Sequence, residues 1–211
     1  MLVHPSGFLR QVRELCTCYQ VHLIVDEVAT GFGRTGTMFA CEQEDVSPDF
    51  LCLAKGISGG YLPLAATLTT ERVFSAFLGR RTELKHFFHG HTYTANPLGC
   101  AVGIESLKLL EEETLANARA RAVDLAGALE RVAKLAGVKE TRQRGLMVGI
   151  ELTSRSGKEL GYEVCDRARA HGVILRSLGD VVVWMPPLSI RPDEVELLET
   201  ATTSAIRDVV D

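Results

Sequence analysis

A chain of 211 residues, 46% of them hydrophobic, is long enough for one domain or two small ones with a substantial buried core. Its net charge of -4 comes from 27 acidic and 23 basic residues interspersed along the sequence, which argues against nucleic acid or an anionic membrane as partner and leaves small molecules as the expectation. No run approaches the ~18 apolar residues of a membrane span, Arg10, Arg13 and Glu14 interrupt what would be a signal peptide, and six cysteines without CxxC pairs fit a reducing cytoplasm.

Ser6 is placed to cap a helix starting near Gly7, with Phe8, Val12, Leu15 and Tyr19 on one face. The helix feeds an apolar strand, Leu23 to Val25, that ends in Asp26 and Glu27. A parallel strand needs neighbours from elsewhere in the chain, so Met1 is expected to fall inside a domain. Gly31 to Gly36 spells GxGxxG, but DEVAT separates it from the strand and no helix starts on it. It is not a dinucleotide fingerprint, and Thr37-Met38 stands where a P-loop needs Lys-Ser/Thr; the glycines read as a sharp turn. After an irregular stretch, Thr37 to Pro48, a second apolar run, Phe50 to Ala54, closes on Lys55-Gly56. Leu64 to Leu68 is a third strand, and three strands so close in sequence imply one sheet. A short helix from Glu71 to Leu78 and a surface loop, Gly79 to His86, follow.

Asn96 caps the next helix, with Pro97 at its first position, and the helix should run to about Glu113. Thr114 then caps another, whose Ala118, Ala122, Leu125, Leu129 and Val132 form one apolar stripe. The domain boundary is expected at this change of composition, giving domains 1–95 and 96–211. Beyond Gly137 the pattern reads as a small α+β domain: a strand from Gly145 to Leu152, a helix from Lys158 to Ala170, and a strand from Val173 to Arg176. A turn at Leu178-Gly179-Asp180, a returning strand from Val181 to Met185, and a last helix from Pro192 through Val195, Leu198, Thr202 and Val209 complete it.

Two charged side chains stand out in this pattern. Asp26 closes one strand and Lys55 the next, and ligands of open α/β sheets bind beyond the carboxyl ends of strands. A lysine closing an apolar strand is desolvated, which favours the neutral nucleophile able to form a Schiff base; a lysine snorkelling from a strand end is the competing reading. Asp26 taken alone reads more readily as a capping or salt-bridged carboxylate at a strand end. Glu27 points to the opposite face of the strand and takes a structural role. His86, His89, His91 and Cys100 lack the second ligand pair a zinc site needs, and no metal is expected.

The segments DEVATGFGRTG (Asp26 to Gly36), CLAKGISGGYLPLAA (Cys52 to Ala66) and FHGHTYTANPLGCA (Phe88 to Ala101) together resemble the fold-type I, class III aminotransferases, which use pyridoxal 5'-phosphate (PLP). The resemblance covers nearly the whole chain and about the C-terminal half of a family member. It implies an α/β fold, the C-terminal part of a large domain with a mostly parallel sheet plus a small α+β domain. It also implies that Lys55 forms the Schiff base with PLP and shuttles the substrate proton, and that Asp26 holds the pyridine nitrogen protonated. Gly90, His91 and Thr92 become the loop that reaches the active site of the neighbouring subunit of a homodimer, with Thr92 on the PLP phosphate, and Arg176 holds a substrate carboxylate. Ser177 stands where the family usually has proline. Ala29 and the GHTYTANPL loop favour the biotin-biosynthesis branch over ornithine and acetylornithine aminotransferases. That branch converts 8-amino-7-oxononanoate to 7,8-diaminononanoate by a ping-pong mechanism, usually with S-adenosylmethionine as amino donor and in some relatives with lysine. Another ω-amino acid aminotransferase is the alternative, as is a catalytically incompetent fragment, since the family's phosphate-binding turn and PLP-stacking aromatic have no counterpart here.

Overall fold

The computed structural model describes residues 1–154 and 159–210, which form two compact units. The first comprises Pro5–Gly33 and Thr37–Glu112. Its first helix, α1 (Phe8–Cys18), is capped from a distance. Gly7, at φ +86°, is the N-cap, and both oxygens of Glu44 accept from backbone N–H groups there, Gly7 N at 3.0 Å and Arg10 N at 2.9 Å. A carboxylate is well suited to the positive end of a helix, and these bonds hold that of Glu44 below its usual pKa. Ser6 therefore does not cap the helix. The buried face also differs from the expected one: Leu9, Val12 and Cys16 pack on Leu23, Cys41 and Val46, while Phe8, Leu15 and Tyr19 are exposed. The two stripes share Val12 and obey the same spacing, and the small core under the helix selects between them.

Strand β1 (Ile24–Asp26) runs parallel to β2 (Phe50–Leu53), and β3 (Ala66–Thr69) pairs antiparallel with β2, so one sheet of order β1-β2-β3 forms as expected. Its entry is fixed by Asp49, whose carboxylate accepts from Leu23 N (2.9 Å), Arg13 Nη1 (2.8 Å) and Arg72 Nη2 (3.0 Å). The Arg13 guanidinium, then the Leu23 amide, hold that carboxyl well below the usual carboxylate range. Helix α2 (Glu71–Ser75) is capped by Thr70 and is shorter than expected. Helix α3 (Pro97–Leu109) starts as its sequence predicts, with Asn96 Oδ1 accepting from Gly99 N at 2.7 Å and Pro97 in the first turn.

The second unit comprises Met1–His4, Arg34–Gly36 and the residues from Glu113 on. Thr114 has helical φ and ψ of -65° and -38° and caps nothing: the helix passes through a π turn (Leu110–Thr114) straight into α4 (Leu115–Val132). Ala118, Leu125, Leu129 and Val132 are buried along its expected stripe, with Ala122 packed beside them. Strand β4 (Val138–Arg144), which the polar run KETRQR did not announce, forms a hairpin with β5 (Met147–Leu152). The turn needs Gly145, at φ +57°, because a Cβ there would lie 2.5 Å from the Thr35 backbone. Helix α5 (Leu160–Ala170), strands β6 (Arg176–Leu178) and β7 (Val181–Trp184), and helix α6 (Pro192–Val210) complete the unit. The helix start expected at Lys158 lies outside the described residues.

The four strands form one antiparallel sheet, β4-β5-β7-β6. Val148, Ile150, Val182 and Trp184 from its centre pack with α4, α5 and the Val195, Leu198 and Ile206 face of α6. In that core Trp184 Nε1 donates to Thr202 Oγ1 at 2.9 Å, and the Thr202 hydroxyl donates in turn to Leu198 O at 2.7 Å.

Candidate active site

The parallel pairing of β1 with β2 sets the site. Asp26 lies opposite Cys52, the ladder continues as Glu27 N donates to Cys52 O at 2.9 Å, and Lys55 follows three residues beyond Cys52. Asp26 and Lys55 thus leave the sheet at the same carboxyl edge. Asp26 is exposed; Oδ1 accepts from Val28 N at 2.9 Å, and among the described residues its other oxygen makes no hydrogen bond.

Glu27 shows what alternation along the strand does. It is fully buried, Oε1 accepts from Cys41 N at 2.8 Å, and Oε2 accepts from Thr30 Oγ1 at 2.6 Å and from Ala40 N at 3.0 Å. Its carboxylate ties the glycine turn and the segment after it to the end of β1, the structural role expected. Burial, followed by the nearby Glu27 charge, raises the Cys41 thiol to about 11.

Lys55 departs from its expected setting. Strand β2 ends at Leu53, and Lys55 opens a one-turn 3₁₀ helix (Lys55–Ser58) with φ +49°, in the left-handed region. Its side chain is exposed instead of desolvated, because the chain bends out of the sheet before reaching it, and it makes no hydrogen bond or ion pair among the described residues. Two neighbours not singled out from sequence, Phe32 and Ser106, hold this turn at Gly56. A Cβ added to Gly56 would lie 2.8 Å from Phe32 Cβ and 3.0 Å from the ring atoms Cγ and Cδ2; Ser106 Oγ on α3 donates to Gly56 O at 3.0 Å. Phe32 is 2% exposed, sits at φ +58° between Gly31 and Gly33, and meets Phe39 edge to face at 5.6 Å. A buried aromatic inside a glycine turn was the legible signal for Phe32; Ser106, on a helix fifty residues from Gly56, offered none.

Gly90, His91 and Thr92 lie on an exposed loop. Thr94 N donates to His91 O at 3.0 Å, and His91 Nδ1 accepts from Tyr93 N at 3.2 Å. His86 and His89 lie against Phe88 and Phe87, with ring centroids 3.9 Å and 5.4 Å apart. In the second unit, Arg176 is exposed at the start of β6, opposite Val183; the strand expected from Val173 to Arg176 begins where it was expected to end.

A parallel strand pair thus delivers a carboxylate and a lysine to one carboxyl edge of an α/β sheet, where ligands of such sheets bind. Residues 1–206 match the model of the aminotransferase class-III family, and the chain belongs to that family. It is 51% identical to the adenosylmethionine-8-amino-7-oxononanoate aminotransferase of Aquifex aeolicus, a match that covers 99% of this chain and 48% of that protein. The crystal structure of the enzyme of the same name from Methanocaldococcus jannaschii is similar with a TM-score of 0.94 at 40% identity, over 99% of this chain and 51% of that one. An amine transaminase from an uncultivated Pseudomonas species, solved in a PLP-bound form, has a TM-score of 0.89 at 35% identity, over 98% and 49% of the two chains. The chain spans about half the length of the curated relatives it matches.

Proposed function

We propose that these residues serve a PLP-dependent aminotransferase of biotin biosynthesis that converts 8-amino-7-oxononanoate to 7,8-diaminononanoate with S-adenosylmethionine as amino donor. The observation that carries the reading is the shared carboxyl edge: Asp26 in register with Cys52 and Lys55 just beyond it, each with polar atoms left without partners among the described residues. The identity of 51% to a relative bearing that enzyme's name supports the choice of substrate.

The two side chains fit PLP by their chemistry, an unpaired primary amine for the aldehyde and an unsatisfied carboxylate oxygen for the pyridine nitrogen. When bound, PLP supplies an electron sink that acidifies the carbon–hydrogen bond beside the transferred amino group. Asp26, through its free oxygen, holds a proton on the ring nitrogen. Lys55 Nζ takes the proton from the substrate carbon and returns it on the other side of the transfer. Thr92 Oγ1 donates to the phosphate, with the backbone of Gly90 and His91 lining the site, and the exposure of this loop supports a homodimer whose subunits share sites. Arg176, also exposed, accommodates a substrate carboxylate by two parallel hydrogen bonds. In this reading residues 1–95 belong to the cofactor-binding domain, and residues 96–211 are the connecting helix and the small domain. Six free cysteines support a cytoplasmic setting. For the described residues, no helix is long and apolar enough to cross a membrane.

The likeness to amine transaminases favours a second reading, an ω-amino acid aminotransferase that acts on simpler donors. The two are separated by incubating the native protein containing these residues with 8-amino-7-oxononanoate and S-adenosylmethionine, or with lysine, and following diaminononanoate by mass spectrometry. Product with either donor is expected. Turnover of simple amines and keto acids without diaminononanoate would move the assignment to the second reading.

A further inference from the structure

We infer that Phe32 and Ser106 are positioning residues for the amine of Lys55. The inference rests on the reading of Lys55 as the Schiff-base lysine. Its starting point is backbone conformation: Lys55 holds φ +49°, a left-handed state that a residue with a side chain resists and keeps only where its surroundings over-determine it. Both flanks of Lys55 are fixed. On one side, β2 is locked between β1 and β3 as far as Leu53. On the other, Gly56 is held between two groups from distant parts of the chain. The Phe32 ring leaves no room for a side chain at Gly56, with atoms 2.8 and 3.0 Å from where a Cβ would stand. Ser106 Oγ donates to Gly56 O at 3.0 Å.

Each holder is itself anchored. Phe32 is buried against Phe39, and its N–H donates to Met38 O at 2.6 Å. Its turn is tied down by Glu27 through Thr30, Ala40 and Cys41. Ser106 is carried on α3, which lies so close to the lysine turn that a Cβ on Gly103 would come within 3.0 Å of Leu64 Cδ2 and 3.4 Å of Ile57 O. With β2 held as far as Leu53 and Gly56 held beyond, Lys55 cannot relax to a right-handed conformation without shifting one of these flanks. The left-handed kink turns the Cα–Cβ bond of Lys55 out of the line of the strand, and so fixes the direction in which its side chain leaves the backbone. Neither Phe32 nor Ser106 needs to touch cofactor or substrate.

The test uses the native protein containing these residues, incubated with PLP, trapped with borohydride over a time course and mapped by peptide mass spectrometry, with visible circular dichroism of the PLP band as a second readout. Wild type is expected to label at Lys55. Ser106→Ala should slow labelling of Lys55 about three- to tenfold, the factor set by one lost hydrogen bond; Phe32→Leu, which removes ring contacts at Gly56 and no hydrogen bond, should slow it too, and both should reduce the dichroic band while labelling of the other lysines is unchanged. Ser106→Thr, which keeps the hydroxyl, should restore both. If wild type labels at Lys55 and the two variants match it in rate and dichroism, the positioning role is wrong and the reading of Lys55 stands, even if their melting temperatures fall. If wild type labels at another lysine, both are wrong.

Discussion

Replacing Glu27 by glutamine tests the tether on which the geometry around Lys55 depends. The carboxylate is fully buried and accepts three hydrogen bonds, from Thr30 Oγ1, Ala40 N and Cys41 N. Glutamine keeps one oxygen. If that oxygen stays where it serves Thr30 and Ala40, the amide nitrogen faces Cys41 N–H, donor against donor. One charge-strengthened bond worth about 1.5–3 kcal/mol is lost, a buried N–H is left unsatisfied, and the two surviving bonds lose their charge assistance. The expected cost is about 3 kcal/mol, a large share of the roughly 5–15 kcal/mol that holds a domain together. The assay is urea unfolding followed by circular dichroism, with a lower midpoint at unchanged slope. A second signal comes from Cys41, whose thiol is raised to about 11 by burial and then by the Glu27 charge. Removing that charge should speed alkylation of Cys41 in mildly alkaline buffer. A stability change below about 0.5 kcal/mol, within the range of ordinary surface substitutions, together with unaltered alkylation, would refute the tether.

Asp49→Ala should cost about 3 kcal/mol at neutral pH, since it leaves Arg13, only 23% exposed, without its carboxylate. Because the folded-state pKa of Asp49 is depressed, its contribution is full above the unfolded value of about 3.9 and is lost as pH falls through the lower folded value. Thermal melts in acid should therefore show a shallower pH dependence in the variant, and an unchanged one would contradict the assignment. Asp26→Asn in the native protein should retain PLP yet lose most turnover, because a neutral amide no longer holds the ring nitrogen protonated; wild-type turnover in that variant would remove Asp26 from the site.

What the sequence displayed was repetition, and what it hid was contact between distant segments. The stripe from Ala118 to Val132, the Asn96-Pro97 start and the three-strand sheet are local patterns of periodicity or capping, and the structure has them. Helix α1 carries two apolar stripes of equal spacing, and only Leu23, Cys41 and Val46 decide which is buried. Its cap is a carboxylate more than thirty residues away, which no local pattern encodes. Strand β4 is stabilised by pairing with β5, so its polar composition concealed it. The candidate site divides the same way. Asp26 and Lys55 were legible as charges ending apolar runs, whereas the left-handed turn of Lys55 depends on Phe32 and Ser106, brought to Gly56 by the fold.

In this reading Lys55 is the amine that receives the cofactor, and borohydride trapping of the PLP adduct in the native protein tests that role most directly. Peptide mapping should place the reduced pyridoxyl group on Lys55, and Lys55→Ala should show neither the label nor the visible PLP band nor any transamination. A label on another lysine, or transamination at the wild-type rate by Lys55→Ala, would contradict it.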